Sequence, residues 1–265
     1  MINLLLDEFH NKYVVIGTLK AKAPIHIGAG NSDFDPLQVD NTIIRDNDGN
    51  PYIPGSSIKG VLRSYMETLI QSIDYPDLDN PNKKLRACFI VNDPCLKNEF
   101  IEEVRRERKR RKEEENIDKE IANKIYNEMC DVCKIFGSNY FASKLKIKDC
   151  KLKDEKAYVE KRDGVVIDRE TGTSLDGRKY DFEQVAAGTN FDFYMTIDNL
   201  EKKHEELFKL IVSLLKNGEL KIGGKTSVGL GTVKLENYDI YKLTKENIKE
   251  YLLNGFKDEM RWENV

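Results

Sequence analysis

PYIPGSSIKGVLRSYMETLI, residues 51–70, begins as a turn and ends as a helix. Pro51, Pro54 and Gly55 punctuate the chain, and Ser56 or Ser57 is the expected cap of the helix. Ile58, Val61, Leu62, Tyr65, Met66, Leu69 and Ile70 recur at helical spacing and mark one apolar face. Lys59 and Arg63 stand one turn apart on a different face. A solvated helix start needs a cap, but not two cations beside small residues. Ser56, Ser57 and the unpaired first-turn amides, flanked by Lys59 and Arg63, therefore form a candidate anion site.

The segments around this helix decide what it packs against. YVVIGTLKA (13–21) is rich in β-branched residues and predicts a strand, and NTIIRD (41–46) predicts a short one before the turn DNDGNP. Further short strands are expected near 144–151 and 156–168, and FDFYMTI (191–197) alternates as a strand should. Leu207, Phe208, Ile211, Leu214 and Leu215 mark a second amphipathic helix, with Asp198 or Asn199 as its expected cap. ELKIGGKTSVGLGTVKLENYDIY then predicts a β-hairpin whose halves are separated by glycines. Strand, helix, strands, helix, strand is an α+β, ferredoxin-like plan with insertions. Two helices on one side of an antiparallel sheet would each bury an apolar stripe.

The expected divisions are 1–73 and 191–245 for the two parts of the core, 139–155 for further core strands, and 246–265 for a C-terminal tail. Between them lie an insertion at 74–138 and an extended hairpin at 156–190. Residues 74–98 are rich in Asp, Asn and Pro, and the charge-dense stretch 99–128, including RRERKRRKEEE, predicts one long, solvated helix. The 265 residues carry 34% charged side chains and a net charge of -3, so bulk charge does not announce a nucleic-acid binder. A basic site could still be local. The N-terminus shows only a short apolar run and no stretch is long and apolar enough to span a bilayer, so a cytoplasmic protein without a membrane partner is expected.

The five cysteines are an odd number, which argues for thiols rather than a disulfide framework. Cys130 and Cys133 form a C-x2-C pair, and Cys88 and Cys95 a looser pair upstream. Four thiolates are a natural tetrahedral set for Zn²⁺, which can hold together a segment with little core of its own. Separate buried cysteines, or a site using Cys150 or His26, are the alternatives. IGGKTSVGLG (222–231) resembles a phosphate-cradling loop in composition but lacks the GxxxxGK[ST] order and leads into a strand. Its glycines would let a polyanionic backbone approach main-chain amides, with Lys225 as countercharge and Thr226 and Ser227 as donors.

HIGAG (26–30), VDNTIIRD (39–46), YIPGSSIKGVLRS (52–64), CKIFGS (133–138) and IGGKTSVGLGTV (222–233) occur in an order that resembles the RAMP superfamily of CRISPR proteins, in particular the backbone subunit of type III effector complexes. The resemblance implies an RRM-like, ferredoxin-related core. It also implies assembly with copies of itself, related RAMP subunits and other effector subunits along a CRISPR guide RNA. A β-hairpin thumb, here 156–190 with Arg162, Arg169, Arg178 and Lys179, would interrupt the guide–target duplex every six nucleotides. Lys59, Arg63, Gly223, Gly224, Gly229 and Gly231 would contact the guide backbone.

The catalytic aspartate of the family's nucleases matches Asp40, with Asp33 and Asp35 as rivals outside the motif. The implied reaction is cleavage of single-stranded target RNA, dependent on Mg²⁺ or Mn²⁺, leaving a 2′,3′-cyclic phosphate and a 5′-OH. Competing readings are a non-catalytic guide-binding subunit, a CRISPR RNA processing endonuclease, and an α+β scaffold without RNA. Only His10, His26 and His204 could serve histidine chemistry.

Overall fold

In the computed structural model, which describes residues 5–29, 41–77 and 80–263, the centre is β1 (Asn11–Ala21). It pairs antiparallel with β7 (Asn190–Asp198) on one side and β8 (Val233–Thr244) on the other, and β7 pairs antiparallel with β4 (Leu145–Ile147). The sheet order is β4-β7-β1-β8. With α1 (Gly55–Ser72) after β1 and α5 (Glu205–Asn217) after β7, the connectivity is β-α-β-β-α-β.

The period-2 alternation of β1 sends Tyr13, Val15 and Leu19 into the main core, opposite Ile197, Met195 and Phe191 of β7. Gly17 interrupts this run where the β1–β8 register shifts. A Cβ there would lie 2.7 Å from Cβ of Tyr238, so the bulge requires a glycine.

Helix α1 buries Ile58, Leu62, Met66 and Ile70. Tyr65, expected in the stripe, is instead 40% exposed, because position 65 falls at its edge. The cap also differs from expectation. Pro54 precedes the first helical residue and no side chain of Ser56 or Ser57 caps it; Asp149 Oδ1 accepts from Gly55 N at 2.8 Å. Helix α5 buries Leu207, Phe208, Ile211, Val212, Leu214 and Leu215. Its entry is a 3-10 turn at Lys202–His204, and Asn199 does not cap it. Asn199 holds the N-terminal segment, accepting from His10 N and donating to the carbonyls of Leu5 and Glu8.

Residues 246–263, expected as a tail, pack against the sheet. They contain α6 (Ile248–Asn254), and Phe256 stacks on Tyr241 at 4.3 Å over the second face of the sheet, around Val14, Leu243 and Met260. Trp262 N donates to Ile240 O at 2.7 Å, and its ring turns into the main core against Tyr13 and Phe208.

The insertion begins with the pairing of β2 (Pro76–Asp77) and β3 (Asn80–Lys84). The expected single helix is two, α2 (Asn98–Arg110) and α3 (Ile117–Glu128), with Asn116 in the left-handed region at the turn. They close on Val104, Ile117 and Ile121, and Arg111 bridges Glu107, Glu114 and Glu120. Folding back buries three aliphatic side chains that one extended helix would leave in water.

After α4 (Asp131–Phe136), a buried polar network ties the insertion to the core. Lys144 Nζ donates to Tyr126 Oη at 2.6 Å and Asn199 O at 2.9 Å, and Tyr126 Oη donates to Glu201. Burial pushes the Lys144 amine down to about 8. Beyond β4, the chain forms the two-stranded hairpin β5 (Val159–Ile167) and β6 (Ser174–Val185). Segment 41–46 is not a strand but isolated bridges at Asn41, Ile43 and Arg45. The glycine-rich segment closes through a Lys221–Thr232 bridge around a 3-10 turn at Thr226–Val228, not as a full hairpin.

Trp262→Ala should therefore cost about 3 kcal/mol in urea unfolding. The transition is read by circular dichroism, because this is the only tryptophan.

Candidate metal centre and nucleic-acid interface

Four of the five cysteines converge. The sulfurs of Cys88, Cys95, Cys130 and Cys133 all lie within 4.8 Å of one another. Cys88 Sγ is 3.5 Å from Cys133 Sγ and 3.6 Å from Cys130 Sγ. Zn–S bonds of about 2.3 Å in a tetrahedron place sulfurs about 3.8 Å apart, so the spacing suits a metal and is far too long for a disulfide. Local folding sets the ligands. Cys130 caps α4, with Cys133 N donating to its sulfur at 3.4 Å, and Cys130 N donates to Cys95 Sγ at 3.4 Å.

Charge completes the fit. Hydrogen bonds from Cys130 and Cys133 hold the Cys95 thiol down, to about 2, whereas its contacts with Cys130 and Cys95, together with burial, push Cys133 far up. A divalent cation would hold all four sulfurs as thiolates. Cys150 and His26 are not part of the cluster. Cys150 Sγ faces Lys148 O, and His26 Nδ1 bonds Glu183 O at 2.7 Å.

Arg63 does not turn outward. Its side chain is only 16% exposed and donates to Glu67 Oε1 at 2.7 Å, Gly137 O at 3.0 Å and Cys133 Sγ at 3.1 Å. Four thiolates around a divalent ion leave a net charge of about -2, and a guanidinium on one sulfur offsets part of it. Lys59 beside it is half-buried and makes no ion pair among the described residues. Burial first, then the Arg63 charge, lowers its pKa.

A second constellation forms where β6 meets the glycine-rich loop. Lys225, in the left-handed region at φ 58°, puts its ammonium 4.3 Å from the Phe182 ring centroid and 4.7 Å from that of Tyr180. Glu183 binds the neighbouring segment three ways. Its N donates to Asn41 O at 3.0 Å, its Oε2 accepts from Ile43 N at 3.1 Å, and Arg45 Nη2 donates to both carboxylate oxygens. Residues on either side of 30–40 are thereby joined, with Ala29 N donating to Thr42 O at 3.0 Å. Asp33, Asp35 and Asp40 lie outside the described residues.

The glycines divide unlike the expectation. A side chain at Gly223 would run into His26 O, and one at Gly231 into Ile222 O, so both permit close backbone packing inside the protein, and Gly231 is buried. Gly224 N is already donated to His26 O at 2.8 Å. Gly229 is exposed at φ 95° and faces open space, beside exposed Ser227 and Val228. At the helix start, the Asp149 carboxylate occupies the Gly55 amide, and no described contact joins Ser56, Ser57 or Lys59 to the glycine loop.

Arg162 and Arg169 are exposed on the β5–β6 hairpin, among exposed Val165, Val166 and Ile167; the side chains of Arg178 and Lys179 are not among those described. Sequence reasoning missed Arg45, Tyr180, Phe182 and Glu183. The alternation in KYDFEQV was the available signal.

No helix among the described residues is long and apolar enough to cross a membrane. Residues 18–234 match the sequence pattern of the RAMP superfamily. Across 247 residues the chain is 25% identical to the CRISPR system Cms endoribonuclease Csm3 of Methanocaldococcus jannaschii, covering 89% of this chain and 83% of that one. The protein of the same name from Methanothermobacter thermautotrophicus is 42% identical over 61 residues, 23% of this chain and 25% of that one.

Arg63→Ala should weaken metal retention about 10–100-fold, measured by competition with a chromogenic chelator. Lys59→Ala should leave it unchanged.

Proposed function

The chain belongs to the RAMP superfamily, and on that premise we propose that it is a guide-RNA-binding backbone subunit of a type III CRISPR effector complex that cleaves single-stranded target RNA at six-nucleotide intervals. The proposal includes a ferredoxin-like core, read from the β4-β7-β1-β8 order, and a structural Zn²⁺ on the four cysteines. Its partners are the guide RNA, the target RNA, copies of itself or related subunits, and other effector subunits, in the cytoplasm.

One observation carries the reading. The glycine-rich loop, the base of the β5–β6 hairpin and the segment that follows Asp40 meet at Lys225, Phe182 and Glu183. A hairpin with an exposed apolar and arginine-bearing end suits a thumb that wedges between bases, while its base lies against the loop proposed to hold the backbone. Asp40 immediately precedes Asn41, which bridges Phe182.

In the proposed reaction the ribose 2′-oxygen attacks the adjacent phosphorus as the P–O5′ bond breaks. The 2′-OH proton ends on the 5′-oxygen, leaving a 2′,3′-cyclic phosphate and a 5′-OH. Mg²⁺ or Mn²⁺ would supply charge neutralisation at the phosphate. Asp40 is the carboxylate proposed to hold that ion or take the proton, and the thumb splays the target nucleotide toward in-line geometry. Histidine chemistry of the processing-endonuclease kind is disfavoured. His26 is buried and bonded to Glu183 O, and His204 is buried on Asp131 at 2.9 Å.

The test is cleavage of end-labelled target RNA by the guide-loaded complex. Asp40→Ala should abolish cuts while leaving guide binding intact, and EDTA should do the same. Six-nucleotide-spaced cuts that persist in the variant defeat the assignment of Asp40. A wild type that binds and never cuts makes the subunit a non-catalytic guide binder.

A further inference from the structure

The helical hairpin of the insertion sorts its charges. Along the side where α2 meets α3, every cation is matched: Arg108 with Asp118, Arg111 with Glu107, Glu114 and Glu120, and Lys124 with Glu103 and Glu107. The opposite side of α2 is different. It presents Arg105, Arg106, Lys109 and Arg110, and the turn after the helix adds Lys112; all five are exposed. Arg105 reaches back one turn to Glu102 at 2.7 Å, while Arg106, Lys109, Arg110 and Lys112 make no ion pair among the described residues. Glu114, which follows in the turn, is paired with Arg111 at 2.7 Å.

Helix electrostatics alone do not account for this. A cation or two in the last turn complements the macrodipole by about 0.3–1 kcal/mol each, but α2 carries Arg108, Lys109 and Arg110 there, with Arg105, Arg106 and Lys112 around them. Four or five like charges within two turns repel one another unless a polyanion spans them. The stripe also sits on a fixed base. Helix α2 begins three residues after Cys95 and α3 ends two residues before Cys130, so the metal cluster grips both ends of the arm. Beside it, Tyr140 is partly exposed under the Arg105 guanidinium at 6.0 Å. An aromatic ring among arginines favours nucleic acid over an acidic protein, because it offers a stacking surface that a glutamate-rich partner would not use.

Building on the proposed RNA-binding function, we propose that the outer face of α2, Arg105 to Lys112 with Tyr140, is a second RNA-backbone contact surface, carried on the metal-anchored arm and separate from the glycine-rich loop. It engages phosphates without reading sequence, so its signature is a salt dependence.

The experiment uses the full chain and a labelled single-stranded oligoribonucleotide, with anisotropy measured across a potassium chloride series. R106S/K109S/R110S is compared with a net-charge control, K202S/K245S/K249S, whose exposed lysines lie elsewhere. Metal content and thermal melting confirm that both variants are folded. The stripe variant should show a log K against log salt slope shallower by about 2, from roughly 0.7 per lost phosphate contact, and about tenfold weaker binding at low salt. The control should match wild type. A stripe variant that binds like the control overturns the proposal and leaves the guide-binding reading standing. A wild type that binds no RNA overturns both. Polyglutamate competing as well as RNA of equal charge overturns the nucleic-acid assignment in favour of an acidic protein.

Discussion

Arg63 is the joint on which the two halves of the molecule turn. From the middle of α1 its guanidinium reaches Glu67 on its own helix, the carbonyl of Gly137 and the sulfur of Cys133. Fixing a long cationic side chain with this little exposure is costly unless each N–H finds an acceptor. Here the acceptors come from the core, from the turn after α4 and from the metal cluster. Gly137 must be a glycine for this, since φ is 86° and a Cβ would sit 2.8 Å from Ser143 N. Arg63 thus fastens the insertion to α1, beside the Lys144–Tyr126–Glu201 network that ties it to the sheet, and its charge is shared between Glu67 and Cys133.

The same economy governs the base of the β5–β6 hairpin. Glu183 uses its amide, its carbonyl and its carboxylate on Asn41, His26, Ile43 and Arg45, so two separate segments depend on one residue. Lys225 adds a cation–π contact from the glycine-rich loop to the same strand. Interactions of this kind are worth about 0.5–2 kcal/mol each, but their arrangement matters more than their sum. A shift of the hairpin is felt by the loop and by the chain on both sides of 30–40.

The core was legible because it depends on periodicity, which sequence displays directly. Phe191, Phe193, Met195 and Ile197 alternate, α5 repeats at helical spacing, and the C-x2-C pair with two upstream cysteines pointed to four sulfurs that do converge. What periodicity cannot carry is the partner of a polar group. Ser56 and Ser57 looked like caps, but the donor at Gly55 is satisfied by Asp149, 94 positions away. Arg63 looked solvent-facing because its helix face is polar, yet that face meets α4. The charged stretch 99–128 looked continuous because its helical propensity does not drop at 111–116; the break comes from burial of Val104 against Ile117 and Ile121. The C-terminal segment reads as a tail because no periodicity marks Trp262, whose ring packs on Tyr13 and Phe208.

Once each cation is assigned, the molecule's net charge of -3 becomes a poor guide to what it attracts. Arg63, Arg111 and Lys144 have their fields consumed by sulfurs, carboxylates or buried dipoles, and contribute little at a distance. Lys59 differs, because it is half removed from water, repelled by Arg63 and supplied with no counter-ion among the described residues. In the glycine-rich loop, Gly223 and Gly231 let the backbone approach His26 and Ile222, while Ser227, Val228 and Gly229 stand exposed. What the surface offers an anion is set less by how many basic residues the chain contains than by which of them the fold leaves unneutralised.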